Sequence, residues 1–205
     1  MKKDSDPITS TSASTKEFKE SRVQPIWHVL VLNMFTGLAY SLFWFYKAWR
    51  DLSAHAAEKF QAAENLVGTD FELRHFKDIS PLLRTIGMVV PVLQLYLFFM
   101  LVFNLAKLHP RQTSLPRRHP VISASVLSLS FCGSIMLANL PGAWYLLYVL
   151  AAIPLAVAQL WLKSYWHTEE PDGLMVRQAF STSELLLLIL GAIVVGLVVT
   201  GFAVK

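Results

Sequence analysis

Apolar residues in this chain are gathered into five long runs separated by shorter polar stretches. The runs cover residues 26–49, 82–105, 121–140, 144–162 and 185–204. Each holds about 20 residues, the length that a helix needs to cross a hydrocarbon core of about 30 Å. Backbone groups in lipid must satisfy one another, so such runs are expected to be helical. The pattern predicts an all-α, multi-pass transmembrane protein with about five membrane helices.

The first run is interrupted near its middle by small and polar residues, which are Asn33, Thr36, Gly37 and Ser41. Two structures fit this pattern. The run is either one weakened helix or two short helices that fold back as a re-entrant hairpin. Non-helical backbone at membrane depth is tolerated only where protein or water covers it.

The connection between the first two runs has a helical pattern of its own. Leu52, Ala56, Phe60, Ala63 and Val67 recur at three- and four-residue spacing. This spacing predicts an amphipathic helix over residues 51–67, lying along the membrane surface. The alternative is a solvated helix that packs on the rest of the protein.

Local signals mark the ends of several runs. Ser80 before Pro81 predicts a helix N-cap followed by proline at the first helical position. Pro141 and Gly142 predict a tight turn that makes the third and fourth runs an antiparallel hairpin. Aromatic residues at both ends of the fourth run are typical of membrane interfaces; they are Trp144, Tyr145, Tyr148, Trp161, Tyr165 and Trp166.

Composition supports the membrane interpretation and divides the chain in two. Hydrophobic residues make up 54% and charged residues 16%, whereas soluble domains are about a quarter charged. Residues 1–24 are polar and are predicted to form a disordered tail, followed by one helical membrane domain over residues 25–205. The net charge of +4 fits anionic headgroups better than nucleic acid.

Basic residues predict an orientation and one candidate binding loop. The lysine and arginine pattern favours a cytoplasmic N-terminus in the cell membrane. Arg111, Arg117 and Arg118 form a loop with no acidic residue nearby, and we expect it to contact anionic lipid headgroups. The alternative is a topology determinant without a specific ligand.

An aromatic cluster at the end of the first run resembles a known family signature. Residues 36–47 read Thr-Gly-Leu-Ala-Tyr-Ser-Leu-Phe-Trp-Phe-Tyr-Lys. This segment is similar to the Thr-x-Gly-x-Tyr-x-x-Tyr-Trp-Phe-Tyr-Lys/Arg motif of the domain-of-unknown-function 4234 family of small prokaryotic membrane proteins. The residues of the resemblance are Thr36, Gly37 (one position before the family's glycine), Tyr40, Trp44, Phe45, Tyr46, Lys47, Pro81, Arg84, Pro91 and Tyr96. It spans residues 25–108 and implies membrane residence but no particular activity.

Small residues recur every four positions in the last helices. One stripe is Ser130, Ser134 and Ala138, and the other is Ala192, Gly196 and Thr200. Small residues at this spacing let helix backbones approach closely. We therefore expect packing with other helices, in the same chain or in a partner.

Candidate chemistry is sparse. The central parts of the runs hold no charged residue, and His28 is interpreted as an interfacial histidine, with a proton path through Asn33 as the alternative. No spacing indicates a metal site or a cofactor. The leading hypothesis is a non-catalytic protein that packs with itself or with another membrane protein. A small transporter or channel is second, and a lipid-modifying enzyme is third.

Overall fold

The computed structural model describes residues 24–36, 38–62, 76, 79–110, 113–137, 142–169 and 180–203. Within these ranges the chain is all-α and contains no strand. Most of the predicted polar tail and residues 63–67 of the predicted surface helix lie outside the described residues.

The first apolar run forms two helices rather than one. Helix α1 covers Ile26–Thr36 and helix α2 covers Leu38–Ala62. The Ser41 hydroxyl donates a hydrogen bond of 2.9 Å to Asn33 Oδ1. In a straight helix, residues eight positions apart would lie about 12 Å apart along the axis. The chain therefore folds back between α1 and α2, as in the second alternative, but α2 is 25 residues long rather than short.

The structure corrects the prediction of a separate surface helix over residues 51–67. Helix α2 passes through Arg50 without a break, because nothing between Trp49 and Leu52 interrupts helical hydrogen bonding. Leu52 and Ala56 from the predicted surface stripe are fully buried in the core. The described start of the stripe thus faces the rest of the protein, as the alternative interpretation predicts.

The second apolar run is also divided. Helix α3 covers Pro81–Gly87, with Ser80 as its N-cap and Pro81 at the first position, which confirms the predicted cap. A turn at 88–90 precedes helix α4, Pro91–Leu108. The prediction of one helix over 82–105, kinked at Pro91, is wrong in that the helix ends before Pro91, because proline lacks an N–H and clashes with the preceding helical turn.

Helices α6, Pro120–Met136, and α8, Thr182–Ala203, lie close to the predicted third and fifth helices. The predicted fourth helix is divided into a 3₁₀ helix, Gly142–Ala151, and helix α7, Ala152–Glu169, and a short helix α5, Leu115–Arg118, lies in the predicted basic loop. Helix α6 packs on α4, where the rings of Phe98 and Phe131 stack with centroids 4.3 Å apart. It also packs on the 3₁₀ helix, and α1 lies against both α7 and α8.

Two helical stretches among the described residues are long and apolar enough to cross a membrane. They are Pro91–Leu108 and Leu147–Glu169. The shorter helices α1 and α6 and the stretch Thr182–Ile193 are also apolar. By length and composition these helices indicate a membrane location.

Large apolar side chains cover much of the outer surface. Those of α3 and α4 include Leu83, Val89 and Val92, which are 70%, 69% and 79% exposed. Others lie on α6 and α8, namely Val121, Ile122, Val126, Leu129, Met136, Leu185, Leu186, Ile189, Leu190 and Ile193. Soluble monomers rarely expose apolar surface on this scale, so the exposed faces favour a lipid environment.

Candidate functional site

Buried polar side chains from four parts of the chain meet where the hairpin of α1 and α2 contacts α7 and α8. Gln24, Tyr40, Trp44, Gln159 and Glu184 are each at most 3% exposed. With Lys47 and Ser181 they form what we call the Glu184 cluster. A buried charge is costly unless it is paired and hydrogen-bonded, so the contacts of Glu184 decide what this cluster can do.

Glu184 is held first by its own helix. Its backbone N–H donates to Ser181 Oγ at 3.2 Å, and Ser181 N–H donates to Glu184 Oε2 at 2.8 Å. This reciprocal pair is a capping box, which satisfies two backbone donors at a helix N-terminus. The negative carboxylate also faces the positive end of the α8 dipole.

The other carboxylate oxygen of Glu184 joins α8 to the hairpin. Gln24 Nε2 donates to Glu184 Oε1 at 3.0 Å and to Tyr40 Oη at 2.9 Å. Lys47 Nζ lies 4.0 Å from the same Oε1 and is 15% exposed. Glu184 therefore has a cationic partner and a neutral donor on one oxygen.

Gln159 extends the cluster to α7. Trp44 Nε1 donates to Gln159 Oε1 at 2.7 Å, and Gln159 Nε2 donates to the backbone carbonyl of Gln24 at 2.9 Å. One chain of hydrogen bonds thus runs from Trp44 through Gln159 and Gln24 to Glu184. It fixes the entry of α1 against α2, α7 and α8.

A close contact between α8 and α1 lies further along α8, at Gly191. A Cβ added at Gly191 of α8 would meet Phe35 O at 2.6 Å and Thr36 Cγ2 at 2.5 Å. Only glycine lets α8 approach the end of α1 so closely. The cluster holds α8 to the hairpin at Glu184, and the close contact holds it at Gly191.

The predicted small-residue stripes lie beside this contact rather than in it. Ala192 is exposed, and the side chains of Gly196 and Thr200 lie outside the described part of α8. On α6, Ser130 is exposed and Ser134 donates to its carbonyl at 2.7 Å, while Ala138 lies outside the described residues. Packing of these stripes with a partner stays a prediction.

Several residues of the family resemblance meet in the Glu184 cluster, namely Tyr40, Trp44 and Lys47. Phe45 is buried in the core and Tyr46 is half-buried. Thr36 donates to the Leu32 carbonyl at 2.7 Å, and Gly37 lies outside the described residues. The motif thus forms one wall of the cluster.

The second segment of the resemblance lies at the outer side of α2. The Arg84 guanidinium is 4.1 Å from the centroid of the Trp49 ring. Pro81 and Pro91 each begin a helix. Tyr96 is 57% exposed, so it takes no part in the buried cluster.

A second polar group joins the far ends of α2 and α7. Glu169 forms an ion pair with Lys59, and its Oε2 lies 3.6 Å from His55 Nε2. The buried His55 ring meets the edges of Tyr165 and Trp166. Both aromatics are buried and fill the gap between α2 and α7. Their predicted depth at a membrane interface stays a prediction.

His28 is fully buried in the protein, and its predicted depth at a membrane interface stays a prediction. Its ring stacks on Phe180 at 4.1 Å and meets Trp27 edge-on. Phe180 precedes α8 along the chain, so a prediction based on the first run alone could not include it. The buried ring lies between the start of α1 and the residue that precedes α8.

The predicted basic loop has a structural contact. Arg117 Nη1 donates to the carbonyls of Lys107 and His109, at 2.6 and 3.0 Å. It therefore satisfies acceptors left open at the end of α4. Arg118 is exposed and Arg111 lies outside the described residues, so headgroup binding by this loop stays a prediction.

The sequence prediction missed Gln24, Gln159 and Glu184. One signal was available for Glu184, because Ser181-Thr182-Ser183-Glu184 before an apolar run has the S-x-x-E pattern of a capping box. Nothing in the sequence links Gln24 to Gln159. Among the described residues, no group of three or more His, Cys, Asp or Glu side chains could hold a metal ion.

Comparison with known proteins gives no further assignment: no family model, curated protein or solved structure matches this chain.

Proposed function

We propose that this chain is a multi-pass integral protein of the cell membrane that works without catalysis, by packing an outward helix face against another membrane-protein chain. The partner is a second copy or a different membrane protein. The resemblance to the domain-of-unknown-function 4234 family agrees with membrane residence and stays a prediction.

The outward face of α6 is the observation that carries this proposal. Val126, Leu129 and Met136 are between 58% and 66% exposed. Among them lie the exposed Ser130 and Gly133, and a Cβ added at Gly133 would meet nothing within 4 Å. A large apolar rim around small residues is a surface that a second helix can approach closely.

The Glu184 cluster supports a structural role over a catalytic one. Its carboxylate is engaged by a capping box, an amide donor and a lysine. Such a network favours a fixed arrangement of helices. A rigid frame of this kind suits a protein that presents one face to a partner.

Native mass spectrometry of the protein, extracted from its membrane in a mild detergent, tests the proposal. We expect a mass above one protomer. Gly133→Leu should reduce the assembled fraction, because it fills the notch on α6 without touching the rest of the fold. Ala39→Leu, at an exposed position on α2, is the matched control and should leave the assembly unchanged.

A strictly monomeric wild-type protein would contradict the proposal. A small transporter or channel is the second candidate, because two apolar runs are broken and a buried carboxylate, Glu184, lies in the same helix bundle. Solute flux in liposomes that depends on Glu184, assayed with Glu184→Gln, would favour this candidate. A lipid-modifying enzyme has no supporting constellation of side chains in the described residues.

A further inference from the structure

The direction of each helix can be followed from the contacts at the Glu184 cluster. Helices α1 and α8 run the same way, because Phe180 contacts Trp27 near the start of α1 and Gly191 contacts Phe35 near its end. Both helices lead away from the end where Gln24 lies. We call this end of the helix bundle the charged end.

Helices α2 and α7 run in the opposite direction. After the fold-back at position 37, Trp44 contacts Gln159 and Lys59 contacts Glu169. Because residue numbers rise together along this contact, the two helices are parallel. Both lead back to the charged end.

The second run reverses in the same manner. The Leu97 side chain lies so near Gly87 that a Cβ there would be 2.8 Å from Leu97 Cδ1. In a straight helix these two residues would be about 15 Å apart. Helix α3 follows α2 along the chain, and its Arg84 lies over the Trp49 ring of α2. We therefore place the start of α3 towards the charged end, to which α4 returns.

The part of the chain from α6 to α7 also leads away from the charged end and returns to it. Helix α6 is antiparallel to α4, since a short connection joins them and Phe98 stacks on Phe131. Helix α6 therefore leads away from the charged end. The 3₁₀ helix packs back on α6 and continues into α7, which returns to the charged end.

The segments of the sequence without charged residues match the parts of the chain that lead away from the charged end and return. Residues 24–46, 85–106, 119–162 and 185–204 contain no Asp, Glu, Lys or Arg. The breaks between α1 and α2, at 88–90 and after α6 all fall inside these charge-free segments. The charged residues that the structure describes lie outside these segments: Lys47, Arg50, Asp51, Glu58, Lys59, Arg84, Lys107, Arg117, Arg118, Lys163, Glu169 and Glu184.

We infer that the charged end is a single surface that faces the headgroup layer and water on one side of the membrane, and that the first three charge-free segments each enter the bilayer and return to that side. Lysine and arginine favour the cytoplasmic side and anionic lipid. The inference rests on the proposed membrane residence. It differs from a simple serial path with five spans, which places residues 50–80 and 107–118 on opposite sides.

Cysteine labelling of the full-length protein in sealed vesicles tests this inference. In a Cys132→Ala background, single cysteines replace Glu58, Arg118 and His167, which are all exposed. A membrane-impermeant maleimide is added before or after permeabilisation. We expect all three positions to be labelled from the same side, with labelling from the cytoplasmic face in inverted vesicles.

Labelling of position 58 from the side opposite to position 118 would overturn the inference, because a serial path predicts that result whether the first run spans the membrane or re-enters it. A fourth variant, Val92→Cys, tests membrane residence itself. It should resist the reagent in vesicles and react after denaturation in detergent. If position 92 reacts in intact vesicles and carbonate washing removes the protein, the proposed membrane residence fails instead of the path.

Discussion

The junction of α1, α2, α7 and α8 differs in kind from the contact between α4 and α6. The junction is held by directional hydrogen bonds around Glu184 and by one glycine contact. The contact between α4 and α6 is apolar, with Phe98 stacked on Phe131. Directional bonds fix one arrangement of a broken segment, whereas apolar surfaces tolerate small shifts. The hairpin therefore depends on a few individual atoms.

Removal of the Glu184 carboxylate should have the largest effect. Glu184→Leu leaves Lys47, Gln24 and the Ser181 N–H without their acceptor in a buried site. Loss of one partner of a buried ion pair costs about 3 to 5 kcal/mol. We expect a large loss of thermal stability in a fixed detergent, measured by the fraction that stays monodisperse after heating.

His167→Gln is the control for this variant, because His167 is exposed on α7. It should change stability by no more than about 0.5 kcal/mol. Equal stability of Glu184→Leu and wild type would show that the junction does not depend on its polar bonds.

Gly191→Ala should have the next largest effect. The new Cβ would overlap a backbone carbonyl, which cannot move aside as a side-chain tip can. Overpacking of this kind costs about 1 to 3 kcal/mol. Gly133→Ala is a matched control, since its Cβ meets nothing and alanine favours a helix by about 1 kcal/mol. Thermal unfolding of the two variants should shift in opposite directions, and equal shifts would contradict the close contact.

Tyr40→Phe removes one acceptor of the junction and keeps the ring. One N–H of the Gln24 amide then loses its partner in a buried site, at a cost of about 1 to 2 kcal/mol. Tyr96→Phe removes a hydroxyl from an exposed tyrosine and serves as control. If the two variants have the same melting temperature, the hydrogen bond from Gln24 to Tyr40 adds no stability.

Phe131→Leu should have the smallest effect of the four. The apolar contact with Phe98 loses ring stacking but keeps most of its buried volume, at a cost of about 0.5 to 1.5 kcal/mol. The same thermal assay measures it. A larger loss than for Tyr40→Phe would reverse the comparison between the two regions.

The helices could be predicted because their signals are local. Apolar runs, the Ser80–Pro81 cap and the weak centre of the first run all lie within a few residues of the features they determine. The break before Pro91 follows from proline chemistry, but the contact of Gly87 with Leu97, which shows how sharply the chain bends there, is tertiary.

The candidate site could not be predicted because its partners are distant in sequence. Gln24 meets Gln159 and Glu184 across 135 and 160 positions. Trp166 has the sequence context of an interfacial aromatic, yet it packs beside His55. Burial of such residues depends on which helices become neighbours. A single sequence carries little information about which helices pair.

The fold-back of α1 on α2 is the central claim, because both the Glu184 cluster and the one-sided path depend on it. Cross-linking of Asn33→Cys with Ser41→Cys by a short bifunctional thiol reagent, in membranes and in a Cys132→Ala background, tests it most directly. The control pair, Tyr46→Cys with Ala54→Cys, has the same spacing inside the continuous helix α2, about 12 Å along its axis. We predict efficient cross-linking of the first pair and little of the second. Equal, low cross-linking of both pairs would show a straight first helix and contradict the account.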